Sequence, residues 1–312
     1  MELIRGLNGL NGRHRGSVVT IGTFDGMHLG HQALLKRLEE HGKRLSRPVM
    51  VLTFEPMPRE FLLAAGQAPA RLTSCRERWR ILERLGCDFL WLLRFGPALR
   101  NLSGEEFAEL LAKELRTPLV VVGHDFRFGR NGEATAAMLT AAGQRLGFEV
   151  DVVAPVTVDG ERVSSSGVRN ALAAADFEQV RRWLGRPYSM TGRVVQGNRL
   201  GRSLGFPTAN LQIERRRPPV HGIFAVRVRV HGAEHAFLPG VASLGTRPTV
   251  DGEHTLLEAH VFDFSGDLYG REIEVEFVAK LREEEHFPSL DALVVQMHKD
   301  AAQARQILRD RF

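Results

Sequence analysis

The chain has 312 residues, a length that corresponds to one large domain or two ordinary ones. Hydrophobic residues make up 43% of it and charged residues 25%, as in soluble globular proteins. No apolar run reaches the ~20 residues of a membrane-spanning helix, no signal-peptide core follows the N-terminus, and Cys75 and Cys87 indicate neither a disulfide framework nor a zinc site. We therefore expect a cytoplasmic protein without a membrane partner. Its net charge of +5 is dispersed, which suits an anionic small molecule better than a nucleic acid.

The first half of the chain alternates short apolar runs with helical patterns. The apolar runs, at 18–21, 49–54, 89–93, 119–122 and 148–153, are typical of buried parallel strands. Capping-box signals at Ser74 and Ser103 mark the starts of helices between them. This alternation predicts an open α/β sheet whose ligands bind beyond the carboxyl ends of the strands.

A glycine-rich turn joins the first of these strands to a helix predicted over 31–45. The glycines let the backbone approach a ligand, and a helix N-terminus attracts phosphate. Two histidines in an H-x-G-H pattern add side-chain donors, whereas the dinucleotide fingerprint and the P-loop are both absent. A tight structural turn is the alternative, but the context of strand, turn and helix favours a nucleoside triphosphate site. The turn contributes Gly22, Phe24, Asp25, Gly26, His28, Gly30 and His31.

Loops after the second and fourth predicted strands lie at the same edge of the sheet. The first loop places Glu55 before two prolines, and it fits a rigid site turn and a plain loop equally well. The second loop, 122–130, joins an acid and arginines to aromatic side chains. Aromatic rings can stack on a flat ligand while arginine and acid fix its polar edge, so ligand binding is favoured. Its candidate contacts are Asp125, Phe126, Arg127 and Phe128.

Three serines precede another predicted helix and its Arg169. Hydroxyls at a helix start commonly serve as an N-cap, which is the more ordinary explanation of this pattern. Together with the arginine, Ser164 and Ser165 can also hold a triphosphate tail.

The second half of the chain changes character after 183–187. Runs at 223–230, 256–262 and 272–278 alternate apolar with polar residues, which predicts a small antiparallel barrel or sandwich. A final helix is predicted over about 289–309. We accordingly expect two domains, 1–183 and 184–312.

The segment 197–210 is the most informative part of the second half. It contains a G-x-S-x-G pattern, but Pro207 follows where a serine hydrolase needs a helix, so we reject that interpretation. A glycine-rich loop can instead cradle phosphates while oxygen side chains bind Mg²⁺. Glu258 shares the polar face of a later strand with His260, where a solvated carboxylate is the ordinary explanation. The candidate residues of the loop are Gly201, Gly205, Thr208 and Asn210.

A series of motifs runs in a fixed order through the whole chain. G-T-F-D-G-M-H-L-G-H is followed by L-T-F-E-P-M-P, V-V-G-H-D-F-R-F-G, V-S-S-S-G-V-R and G-F-P-T-A-N. After them come G-V-A-S-L-G-T-R-P-T, L-E-A-H, D-L-Y-G and M-H-K-D. In this order the chain resembles the prokaryotic bifunctional riboflavin kinase/FAD synthetase family. The resemblance implies a Rossmann-like nucleotidylyltransferase domain with a parallel sheet, then a small antiparallel β-barrel with a terminal helix.

The resemblance assigns FMN adenylylation to the first domain, which would join the AMP part of ATP to FMN and release pyrophosphate. His28 and His31 would stabilise charge on the transferred phosphorus and on the leaving group. The phosphate-binding serine motif corresponds to Ser164, Ser165 and Arg169. The flavin site would contain Glu55, Asp125, Phe126, Arg127 and Phe128.

The resemblance assigns riboflavin kinase activity to the second domain, which would move the ATP γ-phosphate to the 5′-hydroxyl. Thr208 and Asn210 would bind Mg²⁺ with ATP, and Glu258 would be the general base. ATP, riboflavin, FMN and FAD are thus the expected ligands. His124, Ser166 and Ser243 depart from the usual family pattern, but none of them carries assigned chemistry.

Two alternatives from other classes stay open at this point. One is a single-activity adenylyltransferase whose β domain only binds or regulates, against which the P-T-A-N motif and Glu258 argue. The other is a basic RNA-binding protein that retains a nucleotide-binding fold, against which the lack of a concentrated basic face argues.

Overall fold

The computed structural model describes residues 1–64, 66–197, 201, 204–215, 217–232, 237–249 and 252–311, with backbone alone at 246–249 and 252–254. Contacts divide the chain into two compact units. The first consists of Met1–Pro69 and Cys75–Ser164, and the second of Ala70–Ser74 and Ser165–Phe312. The helices between 165 and 183, which we predicted in the first domain, thus pack with the second unit. The functional boundary at 183/184 stays a prediction.

The first unit is built on a six-stranded parallel sheet. Its strands are β1 (Glu2–Arg5), β2 (Val18–Ile21), β3 (Val49–Glu55), β4 (Phe89–Arg94), β5 (Leu119–Gly123) and β8 (Glu149–Val153). Two-residue strands form small antiparallel pairs, namely β6 (Arg127–Phe128) with β7 (Ala134–Thr135) and β9 (Thr157–Val158) with β10 (Glu161–Arg162). All five apolar runs of the first half are therefore confirmed as parallel strands.

Helices cover both faces of this sheet, as the continuous apolar runs require. They are α1 (Leu29–Leu45), α2 (Pro58–Leu62), α3 (Cys75–Arg84), α4 (Pro97–Arg100), α5 (Gly104–Leu110) and α6 (Ala136–Leu146). The capping box at Ser103 is confirmed, since its hydroxyl accepts from the Glu106 N–H at 3.2 Å and the Glu106 carboxylate accepts from the Ser103 N–H at 2.7 Å. Val18 and Val19 on adjacent positions of β2 enter separate cores on opposite faces.

The strand order of the sheet fixes where a ligand crevice lies. The order is β1-β4-β3-β2-β5-β8. After β2 the chain adds β3 and β4 on one side, and it then reverses to add β5 and β8 on the other side of β2. In open parallel sheets the crevice opens beyond the carboxyl ends of the strands at this reversal. The glycine-rich turn follows β2 and the Asp125 loop follows β5, so both lie at this point.

The second unit is a closed six-stranded antiparallel barrel with flanking helices. Its strands are β11 (Ser189–Val195), β12 (Ala209–Gln212), β13 (Gly222–Val230), β14 (Leu238–Thr249), β15 (Gly252–Val261) and β16 (Glu272–Arg282). Its helices are α7 (Ser165–Ala173), α8 (Phe177–Leu184) and α9 (Leu290–Arg311). Pairing of β11 with β16 closes the ring, which decides between the barrel and the sandwich.

Two helices pack on this barrel through apolar side chains. On α9, Ala304 and Leu308 join a buried cluster with Ala225 of β13. On α8, the ring of Phe177 lies 6.3 Å from that of Phe277 and nearly parallel to it. Within the described part of the chain, no helix combines the length and the apolarity that crossing a membrane demands.

Candidate active sites

The turn after β2 has an unusual backbone that buried side chains hold in place. Phe24, Gly26 and Met27 all have positive φ, at 51°, 86° and 48°. Non-glycine residues keep this conformation only where packing over-determines it, and the Phe24 and Met27 side chains are fully buried in the sheet core. Phe24 therefore shapes the turn from the protein side, and its role toward the nucleotide stays a prediction.

His28 and His31 lie together at the N-terminus of α1. His28 is the N-cap, and its Nδ1 accepts from the His31 backbone N–H at 3.3 Å. The two rings stack with 3.7 Å between their centroids. Because Nδ1 accepts, a neutral His28 carries its proton on Nε2 and can donate from there. A stacked pair of imidazoles at a helix N-terminus is an arrangement suited to phosphate oxygens.

The glycine of H-x-G-H is explained by this stack. A Cβ at Gly30 would lie 3.0 Å from Cε1 and 3.1 Å from Nδ1 of His28, and 3.8 Å from the Val163 carbonyl oxygen. Any larger residue would therefore require the His28 ring to shift. The same contact shows that the backbone leading into Ser164 passes close to the turn. Gly22 similarly leaves room for the Phe24 ring, which a Cβ would meet at 3.2 Å.

The loop after β5 presents polar groups above a packed aromatic base. Asp125 forms an ion pair with Arg162 of β10. Burial acts to raise the pKa of the Asp125 carboxyl, but the hydrogen bond and the charge of Arg162 outweigh it and hold this pKa below its ordinary value. The Phe128 ring is only 8% exposed and stacks under Phe126 at 5.4 Å. Phe128 thus supports the loop, and Phe126 is the less buried of the two rings; Arg127 is exposed beside it.

The serine motif falls at the division between the two units. Ser164 ends the first unit, and Ser165 begins α7 in the second. Arg169 of α7 donates from Nε to the Ala70 carbonyl at 2.6 Å within the second unit. The helix start predicted at this motif is confirmed, while its role toward phosphate stays a prediction.

The second unit contains a cavity of about 690 Å³ on the outer face of the barrel. Strand register places Asn210 of β12 beside Glu258 of β15, and Glu258 beside Ser243 of β14. The neighbours of Glu258 along its strand, Leu257 and Ala259, point into the barrel core and are buried. Thr208, Asn210, Glu258 and Gly201 all line the cavity, so the structure brings together these four predicted kinase residues; Gly205 is not among the lining residues.

Close approaches explain the glycines of the segment before β12. A Cβ at Gly201 would overlap the Phe206 carbonyl oxygen and lie 3.2 Å from the Thr208 hydroxyl. Gly205 has a φ of 81°, in the region that favours glycine. Ser203, the serine of the rejected hydrolase pattern, lies outside the described residues.

Histidines that sequence reasoning did not use fix this segment to the barrel. His260 Nδ1 donates to the Pro207 carbonyl at 2.8 Å, immediately before Thr208. The Phe206 ring lies between His260 and His298 of α9, at 5.1 and 4.7 Å. His298 belongs to the M-H-K-D motif, so the motif itself was the available signal.

Another wall of the cavity comes from the end of β16 and from α9, whose residues had no predicted role. Arg282 makes a bidentate ion pair with the buried Asp300, with Nε and Nη2 at 3.0 and 2.8 Å from its two oxygens. Glu284 accepts from the Ser243 hydroxyl at 3.2 Å. Ser243, noted above only as a departure from the family pattern, therefore links the row of Asn210 and Glu258 to this wall.

Comparisons with known proteins cover both halves of the chain. The family model for FAD synthetase matches residues 10–167, and the one for riboflavin kinase matches residues 184–308. The bifunctional riboflavin kinase/FMN adenylyltransferase of Escherichia coli (strain K12) is 44% identical over 308 residues, which cover 98% of this chain and 97% of that protein. That of Pseudomonas fluorescens is 47% identical over 309 residues, with 98% of each chain covered.

One solved structure matches over the same extent. It is named a macrolide-efflux protein from Streptococcus pneumoniae, and it superposes with a TM-score of 0.81 at 31% sequence identity. The match covers 97% of this chain and 98% of the other.

Proposed function

Because the chain belongs to the family of bifunctional riboflavin kinase/FMN adenylyltransferases, we propose that it makes FMN on the cavity of its barrel and FAD at the turn after β2. The chain is an enzyme of flavin cofactor biosynthesis that phosphorylates riboflavin with ATP and then adenylylates FMN with release of pyrophosphate. The match of both halves argues against the single-activity alternative. We propose that both reactions take place in the cytoplasm and involve neither nucleic acid nor a membrane.

The stacked pair of His28 and His31 carries the assignment of adenylylation. An FMN phosphate oxygen attacks the α-phosphorus of ATP, and pyrophosphate leaves with its electron pair. Negative charge grows on the phosphoryl oxygens, and imidazole donors together with the N-terminal N–H groups of α1 stabilise it. The backbone of Gly22, Asp25, Gly26 and Gly30 lies along the nucleotide in this proposal. Ser164, at the end of the same unit, binds its phosphates.

The flavin of the adenylylation site is assigned to the loops that follow β3 and β5. Phe126 offers a ring for stacking, and Arg127 offers a cation for the FMN phosphate. The Asp125 carboxylate, held ionised by Arg162, can accept from a flavin N–H or a ribityl hydroxyl. Glu55 at the end of β3 completes this set.

The row of Asn210 and Glu258 carries the assignment of kinase activity. Glu258 accepts the proton of the riboflavin 5′-hydroxyl as that oxygen attacks the γ-phosphorus. The hydroxyl of Thr208 and the amide oxygen of Asn210 are hard oxygen donors on the wall of one cavity, which fits Mg²⁺ held jointly with ATP phosphates. Bound there, Mg²⁺ would neutralise charge on the transferred group.

One incubation tests both assignments together. The purified chain is supplied with riboflavin, ATP and Mg²⁺, and products are followed by chromatography. FMN should appear first and FAD should follow with pyrophosphate release. Chelation of Mg²⁺ should stop the reactions and its readdition should restore them. Failure to make FMN would overturn the kinase assignment. Failure to convert supplied FMN to FAD would overturn the adenylylation assignment.

A further inference from the structure

We propose that Arg78 of α3 is a positioning residue for FMN adenylylation, an inference that rests on the proposed function of the first unit. Arg78 is 1% exposed, so it cannot touch ATP or FMN itself. Its Nη1 donates to the Thr23 carbonyl at 2.7 Å and to the Thr53 hydroxyl at 3.1 Å. Its Nη2 donates to the Glu55 carboxylate at 2.8 Å.

These three acceptors belong to the turn after β2 and to the end of β3, two of the segments that build the proposed site. Thr23 starts the turn after β2, one residue before Phe24 with its positive φ and five before the N-cap His28. Thr53 and Glu55 lie within the last three residues of β3. The guanidinium therefore fixes the distance between the nucleotide turn and the predicted flavin contact.

The position is one that core packing alone would fill with an apolar residue. Leu82, one helical turn further on the same face of α3, is fully buried in the sheet core. An arginine cannot lose its proton in a protein, and a buried charge is destabilising unless it is paired and hydrogen-bonded. The hydrogen bonds from Arg78 to the turn after β2 and to the end of β3 explain why a cation is retained here. The planar guanidinium reaches three acceptors from two nitrogens held at a fixed separation, a geometry that the single ammonium nitrogen of lysine lacks.

Loss of these hydrogen bonds of Arg78 should lower the rate of the chemical step of adenylylation. The imidazoles at 28 and 31 stabilise charge only if they stand at hydrogen-bond distance from oxygens of the transition state. A displacement of about 1 Å at such a site can cost about 10²-fold in rate. Arg78→Lys retains a charge partner for Glu55 but gives up the planar arrangement of two donating nitrogens, so it separates positioning from charge.

The test measures FMN adenylylation and riboflavin phosphorylation in the full-length Arg78→Lys and Arg78→Met variants. We expect kcat for FAD formation to fall about 10- to 100-fold in the lysine variant, with KM for ATP changed less than about threefold. The kinase reaction of the same molecules should stay within about twofold of the parent. Arg84→Lys, at an exposed position of the same helix, is the matched control and should leave both reactions unchanged.

A double-mutant cycle with Glu55→Gln separates positioning from a general loss of structure. If Arg78 acts through Glu55, the two substitutions are non-additive in kcat for adenylylation. Parental kcat in Arg78→Lys, additive effects, or a loss that vanishes once the fraction of unfolded chain is subtracted would each overturn the inference while the proposed function stands. A parent chain that makes no FAD from FMN would overturn both.

Discussion

Glu258 and Asn210 are directly opposed on neighbouring strands of the barrel, so that the predicted base and a predicted Mg²⁺ ligand face one cavity. Their strands run antiparallel, and residues paired in this way point to the same side of a sheet. Inward-pointing Leu257 and Ala259 fix that side as the outer one.

Glu258→Gln should therefore remove the proton acceptor without changing the shape of the cavity. We expect riboflavin phosphorylation to fall by ~10²–10⁴-fold, the usual effect of losing a general base. ATP affinity should change little, because Thr208 and the glycine loop remain. Steady-state rates and ATP titrations of the variant check this, and adenylylation of supplied FMN is the internal control. Near-parental kinase turnover would show that another group accepts the proton.

Gly30→Ala should damage adenylylation while leaving the chain as stable as before. Its new methyl group would meet the His28 ring at 3.0 Å, so that this ring must shift by a few tenths of an ångström within the stack. Alanine in a helix is otherwise favoured over glycine by about 1 kcal/mol, so stability should not fall. We expect kcat for FAD formation to fall at least about tenfold.

Gly12→Ala is the control for that substitution, since a Cβ there meets nothing within 4 Å. Equal activity of the two alanine variants would mean that the stacked arrangement of His28 and His31 is not needed for the reaction. Thermal unfolding of both variants is measured alongside the rates.

Parts of this structure follow from local sequence and others depend on distant contacts. The parallel strands were predictable because burial on both faces makes each one a continuous apolar run. Closure of β11 on β16 joins residues about 80 positions apart, a pairing that leaves no local pattern. Alternation alone therefore could not distinguish a barrel from a sandwich.

The site residues likewise divide into those within one local motif and those brought together by distant contacts. Residues within one motif, such as His28 and His31, were recognisable because a single turn of chain brings them together. Arg78 meets partners 55 and 23 positions away, and in sequence it is one more charge on an amphipathic helix. Its only local signal is its i, i+4 spacing to the core residue Leu82.

Arg229→Met should destabilise the barrel in a pH-dependent way. Arg229 donates to Glu274 at 2.6 Å and Ser189 donates to it at 2.7 Å. Burial acts to raise the pKa of Glu274, but these two partners outweigh it and leave that pKa below its ordinary value. The ion pair thus stabilises the folded state above the ordinary glutamate range, and this contribution disappears as pH falls through the lowered value.

The expected loss at neutral pH is about 2 kcal/mol, since the substitution removes a hydrogen bond between charged groups. Hydrogen exchange of the β13 and β16 amides reports the stability of this region. The difference between parent and variant should shrink on acidification, and a difference independent of pH would contradict the assignment. Arg181→Met, which breaks an exposed i, i+3 pair with Glu178, should destabilise the chain much less than Arg229→Met does.

A fragment of residues 165–312 should be more stable than one of residues 184–312. The longer fragment keeps α8, whose Phe177 packs on Phe224 and Phe277 of the barrel at 5.9 and 6.3 Å. Burying an aromatic side chain contributes about 2–3 kcal/mol. Both fragments contain every proposed kinase residue, so both should make FMN if they fold. Equal unfolding midpoints in urea would show that α8 adds nothing to the barrel.

We propose that one chain makes FMN and FAD at two separate sites. The double variant His28→Ala, His31→Ala tests it most directly, in an incubation with riboflavin, ATP and Mg²⁺. Removal of the stacked imidazoles takes away the donors at the turn after β2 but leaves the barrel cavity unchanged. We predict that FMN accumulates at the parental rate and that no FAD forms. Equal loss of both products in a folded variant, or undiminished FAD formation, would contradict the account.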